Sequence, residues 1–183
     1  TMEIKNIYLP DMNYFTPFKK QQFEAKEIGL KVLQSITKTY EIVITSIPKS
    51  HEEALGQLAL AYQSTRFGGI LIVEGDKHHG IDSIIKKLAT IVKIDHSISK
   101  AHGRIGIVKV NSDYMNVFSD WFEYNTPKRN QDGYFTLPGL FSYKRIDVAS
   151  QFLASTFNDQ LFGDVVDLGA GWGYLSSTLL ENC

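Results

Sequence analysis

Apolar positions along the chain alternate between short β-branched runs and helical spacings. Residues 41–45 place Ile42, Val43, Ile44 and Thr45 behind Glu41, between polar neighbours, which predicts a buried strand. Ser46-Ile47-Pro48-Lys49 reads as a turn. Ser50-His51-Glu52-Glu53 then fits a capping box, in which Ser50 accepts from the amide of Glu53 and Glu53 reaches back to the amide of Ser50. Leu55, Leu58, Ala59 and Tyr62 follow at helical spacing, and Gly68-Gly69 reads as the stop. Ile70-Leu71-Ile72-Val73 predicts the next buried strand. Ile81, Ile84, Ile85, Leu88 and Val92 mark a second amphipathic helix. Residues 93–100 and 105–110 read as a strand pair turned by His102-Gly103-Arg104, since glycine tolerates positive φ. Upstream, Phe23, Ile28, Leu30 and Leu33 predict a helix around 20–35. This order predicts an α/β fold: a parallel sheet with an antiparallel edge hairpin.

Residues 111–145 change character. They hold nine of the 22 aromatic residues: Tyr114, Phe118, Trp121, Phe122, Tyr124, Tyr134, Phe135, Phe141 and Tyr143. Pro127, Asp132-Gly133 and Pro138-Gly139 are turn signals. The stretch reads as a linker with a short hairpin packed by aromatics. Buried packing is the usual fate of such rings, and an RNA-stacking platform is the sharper alternative. From Ile146, the spacing of Ala149, Leu153 and Phe157 predicts a further helix.

Composition narrows the class. The 183 residues are 43% hydrophobic and 21% charged, with 14 Gly and 5 Pro, which excludes collagenous, mucin-like and disordered chains. A chain of this length buries roughly 70% of its unfolded surface. No apolar run approaches the ~20 residues of a spanning helix. The single cysteine, Cys183, excludes a disulfide scaffold and a cysteine-based zinc site, and fits the reducing cytoplasm. The net charge of −1 argues against a global polyanion binder. Locally the balance differs: residues 76–104 carry Lys77, Lys86, Lys87, Lys93, Lys100 and Arg104 against Asp76, Asp82 and Asp95, and four of the five histidines. A face built from Lys77, Lys86, Lys87 and Arg104 could hold RNA phosphates without reading sequence. A solvated helix face accounts for the same residues. Thr1 before Met2 reads as a cloning remnant, and the end at Cys183, inside a helical pattern, reads as a fragment cut within a domain.

One segment carries chemistry. Val165 and Val166 begin a predicted strand that ends near Leu168. Gly169, Gly171 and Gly173 form a turn, and residues 174–180 begin a helix. A glycine-rich strand-to-helix turn lets a ligand lie against the backbone near the partly positive helix start. A dinucleotide fingerprint would put its third glycine at position 174, which is Tyr174. The spacing present is D-x-G-x-G-x-G from Asp167. It suits a cofactor with an amino-acid group and a nucleoside better than a pyrophosphate. A tight turn with glycines kept for packing is the plain alternative.

Leu137-Pro138-Gly139-Leu140-Phe141-Ser142, Ile146-Asp147-Val148-Ala149-Ser150-Gln151 and residues 165–176 together resemble one family. It is the small-subunit ribosomal RNA guanine-N2 methyltransferases of the C type, in the "methyltransferase small" superfamily. Residues 42–110 resemble the later part of that family's first domain through Pro48-Lys49, the helix from Glu52, residues 70–73 followed by Glu74-Gly75, and Gly80. The resemblance implies two tandem Rossmann-like class I methyltransferase domains, the first degenerate and the second binding S-adenosylmethionine. It implies three parts here: a degenerate domain over 1–110, a linker and hairpin over 111–145, and the start of the catalytic domain over 146–183. Asp167, Gly169, Ala170, Gly171 and Gly173 carry over as cofactor residues, with Phe141 and Ser142 as candidate walls of the pocket.

Departures from the pattern matter as much. The family's catalytic turn is of Asn-Pro-Pro-Phe type, whereas the first domain here has Ile47-Pro48-Lys49-Ser50 and no glycine-rich loop before Glu41. The chain continues ten residues past Gly173, short of the ribose-binding acid expected ~20 residues beyond such a loop. No catalytic residue is therefore expected within the chain. His78-His79 lacks a ligand set at metal-binding spacing, so no metal is expected. The implied activity is S-adenosylmethionine-dependent methylation of a 16S RNA guanine, with ribosomal RNA or the small subunit as partner and no membrane. The alternatives are an RNA-positioning module without catalysis, and a methyltransferase of the same superfamily acting on protein or a small molecule.

Overall fold

The computed structural model describes residues 12–111, 115–158 and 161–182. Tyr114 lies outside them. Contacts divide the chain into two units, Thr1–Thr39 and Tyr40–Cys183.

In the first unit, β1 (Asn13–Phe15), α1 (Lys19–Glu27) and β2 (Lys31–Leu33) form a small parallel βαβ unit, with Asn13 opposite Lys31 and Phe15 opposite Leu33. The helix expected around 20–35 thus stops eight residues early. Gly29 takes φ +84°, its amide donates to the Lys26 carbonyl, and the Leu30 amide donates to the Ala25 carbonyl. That is a Schellman ending, which only a residue tolerant of the left-handed region closes cheaply. Leu33, placed on the helix by spacing alone, lies on a strand.

The second unit is built on a four-stranded sheet of order β3-β4-β6-β5. β3 (Tyr40–Ser46) runs parallel to β4 (Thr65–Asp76) through α2 (His51–Ser64). A 3-10 turn (Lys77–His79) leads into α3 (Ile81–Leu88). β5 (His96–Lys100) and β6 (Gly103–Lys109) then form a hairpin, with β6 antiparallel to β4. α4 (Met115–Phe122) follows. Leu71, Val73 and Val108 pack under Leu55, Leu58, Tyr62, Ile84 and Leu88 on one sheet face. On the other face Ile42 and Ile44 are each 57% exposed and Ile98 is 55% exposed. The strands read as buried are therefore covered on one face only, because α2, α3 and α4 contribute their buried side chains to that side. A β-branched run does not distinguish burial on one face from burial on two.

Three local readings change. Ser50 is the N-cap of α2, but its side chain makes no capping bond. Glu53 turns instead toward the loop at 139, where an added Cβ at Gly139 would run into its carboxylate. α2 stops at Ser64, before the glycines. The hydroxyls of Ser64 and Thr65 donate to the Leu60 and Ala61 carbonyls, and so satisfy two of the last carbonyls. Gly68 and Gly69 belong to β4, where a Cβ on Gly69 would lie 2.7 Å from the Glu41 carbonyl oxygen. The β5–β6 turn is carried by Ala101 (φ +48°) and His102 (φ +62°), with Gly103 paired to Lys100 in the ladder. A two-residue loop with both central residues left-handed matches the strand twist.

Residues 115–125 also differ from a linker. Phe118 and Trp121 are buried in the core, with the Phe118 ring 4.6 Å from Tyr62 and 5.1 Å from Trp121. Those rings are unavailable for base stacking. A short hairpin follows, β7 (Lys128–Arg129) and β8 (Phe135–Thr136), with Gly133 at φ +88° in its turn. α5 (Val148–Ala154) starts two residues after Ile146, capped by Asp147, whose carboxylate accepts from the Ser150 amide. α6 (Tyr174–Asn182) begins where the sequence places a helix. The strand expected over 165–168 does not form. Val165, Val166 and Leu168 are 59%, 77% and 91% exposed and pair with no strand among the described residues. Such a run needs partner strands, and an unpaired one gains no ladder. Among the described residues no helix is long and apolar enough to cross a membrane.

Candidate functional site

The glycine turn is built by three alternate left-handed residues, Gly169, Gly171 and Gly173, at φ +84°, +58° and +91°. An L-residue pays roughly 1–2 kcal/mol for each such conformation. The backbone they leave is open. An added Cβ at Gly169 or Gly173 would meet nothing within 4 Å, and one at Gly171 only the Gly169 carbonyl at 3.9 Å. The Gly173 amide donates to the Ala170 carbonyl at 2.8 Å, and the Ser177 amide donates to the Gly173 carbonyl at 2.9 Å, which starts α6. Asp167 stands before the turn, where its carboxylate accepts from the Ser176 hydroxyl at 2.7 Å.

The loop after β8 comes up to this turn. The Trp172 indole N–H donates to the Phe141 carbonyl at 3.0 Å. Phe141 is thus tied to the turn through its backbone, while the residue is 71% exposed. Ser142 beside it is left-handed at φ +49°. Asp167, Gly169, Ala170, Gly171, Gly173 and the Phe141 backbone therefore meet in one place. The aromatic contacts of Trp172 escaped the sequence reading, where the residues between the glycines counted as spacers. A bulky indole in a turn otherwise made of small residues was the available signal.

The basic residues are less unified. Lys77, Lys86 and Lys87 are exposed, the last two opposite the buried Ile81, Ile84, Ile85 and Leu88 side of α3. Lys87 Nζ sits 5.7 Å over the Trp121 ring. Arg104 donates to Asp82 at 2.9 Å and to Ser97 at 2.9 Å. Lys86 and Arg104 line an open groove with Asp82, Asp95 and His96, so two carboxylates interrupt the positive face. His78 stands near His102, ring centroids 6.2 Å apart. Among the described residues no three His, Cys, Asp or Glu side chains gather as metal ligands would. One titrating group is shifted near the loop at 139: burial pushes the Glu53 carboxyl above its ordinary range. Glu52 beside it pairs with Lys144 at 3.1 Å.

Two family models cover nearly all of the chain. The one described as methyltransferase small domain N-terminal matches residues 4–123, and the one described as methyltransferase small domain matches residues 133–183. The chain belongs to the methyltransferase small family. The ribosomal RNA small subunit methyltransferase C of Buchnera aphidicola subsp. Acyrthosiphon pisum is 31% identical to this family member over 158 residues, which is 83% of this chain and 44% of that protein. The enzyme of the same name from Enterobacter sp. is 32% identical over 171 residues, 89% of this chain and 47% of that protein. The Proteus mirabilis protein is 27% identical over 174 residues, 94% and 50%. The chain spans half or less of the length of these relatives. A solved structure, the T. thermophilus 16S rRNA N2 G1207 methyltransferase (RsmC) in complex with AdoMet and guanosine, superimposes with a TM-score of 0.61. It is 17% identical and covers 78% of this chain and 41% of that one. That likeness shows the fold, a Rossmann-like class I methyltransferase architecture. The resemblance read from residues 137–176 is to the same family.

Proposed function

We propose that this chain is part of an S-adenosylmethionine-dependent methyltransferase acting on guanine-N2 of 16S ribosomal RNA, and that the turn at 167–173 is its cofactor loop. The observation that carries the reading is the run of three left-handed glycines between Asp167 and the start of α6, with backbone open to a ligand. The relatives' names give the substrate class.

The residues present fit one end of such a cofactor. Gly169, Ala170, Gly171 and Gly173 would admit it against the backbone, Asp167 would face it with a carboxylate already oriented by Ser176, and Phe141 would wall it. S-adenosylmethionine supplies an electrophilic methyl group when bound. This chain's own contribution is to bind and orient, and methyl transfer gains chiefly from placing donor and acceptor in line. We assign no catalytic base to the chain.

We further propose that residues before about 125 form a methyltransferase-like unit without its own cofactor site. The turn after β3, Ile47-Pro48-Lys49, has neither the carboxamide nor the second proline that grips an amino group in this family. Residues 128–145 would connect it to the cofactor-binding unit. The excess of cations over 76–104 supports a secondary role in holding RNA phosphates. A cytoplasmic location is part of the same proposal. Titration calorimetry of the whole protein with S-adenosylmethionine is the test. Micromolar binding that Gly171→Val abolishes supports the assignment, and absence of binding overturns it.

A further inference from the structure

We propose that Trp172 and Tyr134 are positioning residues, which clasp the glycine turn to the β7–β8 hairpin and hold it in its ligand-admitting conformation. The inference rests on the cofactor reading of the turn given above and deepens it.

The turn needs outside support. Glycine loses more conformational freedom on ordering than any other residue, and three of the five residues from 169 to 173 are glycine. The segment before it pairs with no strand among the described residues. Within the turn itself, the Gly173 amide donates to the Ala170 carbonyl and little else constrains the backbone. Trp172 supplies contacts from outside the turn. Its indole N–H reaches the Phe141 carbonyl. Its ring lies 4.9 Å from Tyr134 and 5.9 Å from Tyr174, and Tyr134 meets Tyr174 edge-on at 5.9 Å. The three rings close a triangle. Two of them belong to the turn and the start of α6, and the third comes from the hairpin.

The hairpin is a firm anchor. The Asn130 side-chain oxygen accepts from the amides of Asp132 and Tyr134, both at 3.0 Å. Arg129 donates to the Gly133 carbonyl at 2.6 Å. Thr136 Oγ1 donates to the Tyr143 carbonyl at 2.7 Å, and the Gln131 amide to the Lys144 carbonyl at 3.1 Å. Constraint thus passes from a tied hairpin through the rings to the glycines. The same indole bond fixes the backbone of Phe141, so the turn and the proposed pocket wall are set together.

The experiment has two arms. On the 183-residue chain, amide hydrogen exchange reads the clasp without cofactor. Tyr134→Leu, which removes the ring, and Trp172→Phe, which removes the indole donor, should each speed exchange at Gly173 and Ser177 by about tenfold, the scale of one ring pair or one hydrogen bond. Amides of α2 should not change, and Tyr134→Phe, which keeps the ring, should behave as wild type. In the whole protein, S-adenosylmethionine affinity should fall about tenfold in the same two variants and stay level in Tyr134→Phe. Unchanged exchange at Gly173 overturns the clasp. Faster exchange with unchanged affinity overturns its positioning role. Failure of the wild-type whole protein to bind S-adenosylmethionine overturns the cofactor reading instead, and the exchange arm still decides the clasp.

Discussion

Replacing Phe118 by Ala tests where residues 115–125 belong. The side chain is 1% exposed, and its ring meets Tyr62 at 4.6 Å and Trp121 edge-on at 5.1 Å. Truncation removes a buried ring and leaves a cavity, which costs about 3–5 kcal/mol. The two ring pairs, each about 0.5–1.5 kcal/mol beyond area burial, place Phe118 toward the upper half of that range. Domain stabilities are about 5–15 kcal/mol, so the loss is a large share of the total. With a urea slope of about 2 kcal/mol per molar, the midpoint should fall by about 2 M. Urea denaturation followed by far-ultraviolet circular dichroism measures it. Phe141→Ala is the matched control: the chemical change is the same, but the residue is 71% exposed, and the expected shift is within about 0.5 kcal/mol. Equal, small shifts in both variants would refute the packing argument and return residues 115–125 to the role of a linker.

Other outcomes follow from the site. Gly171→Val puts a β-branched residue at φ +58°, so the whole protein should lose S-adenosylmethionine binding while the melting of its N-terminal unit is unchanged; calorimetry and circular dichroism check the two halves. The 183-residue chain alone should show no low-micromolar affinity for S-adenosylmethionine, since it continues only ten residues past Gly173 and the ribose acid is expected ~20 residues past the glycines. Burial raises the Glu53 carboxyl, so the folded state holds this proton more tightly than the unfolded state. Its stabilising contribution is present below the ordinary glutamate range and is lost as pH rises through the raised value. Glu53→Gln should therefore flatten the stability profile across that window, as read by thermal melts at stepped pH. Lys86→Glu with Lys87→Glu should weaken RNA binding for all sequences alike and make its salt slope shallower, as measured by anisotropy.

The sequence pattern carried the order of elements well where burial is one-sided and helical. Ile81, Ile84, Ile85 and Leu88 repeat at helix spacing and are all buried, and the glycines at 169, 171 and 173 are all left-handed. It failed where a long-range partner decides. α4 was hidden because Phe118 and Trp121 acquire their meaning from Tyr62, more than fifty residues upstream. Val165 and Val166 have strand propensity but no strand beside them among the described residues, and propensity without a ladder does not make a strand. Local chemistry also misled. A capping box was legible at Ser50 and Glu53, yet Glu53 packs against the loop at Gly139. The β5–β6 turn put Ala101 and His102, rather than glycine, at positive φ. The Trp172 clasp was illegible because it joins Trp172 to Tyr134 and Phe141, more than thirty positions upstream.

The activity proposed for the whole protein is transfer of a methyl group from S-adenosylmethionine to a guanine amino group of 16S RNA. The direct measurement supplies methyl-labelled S-adenosylmethionine with small ribosomal subunits or naked 16S RNA that lacks the modification, then digests the RNA and identifies the labelled nucleoside by mass spectrometry. Label should appear in N2-methylguanosine and be lost with Gly171→Val. Label confined to protein, to another base or to no macromolecule would contradict it.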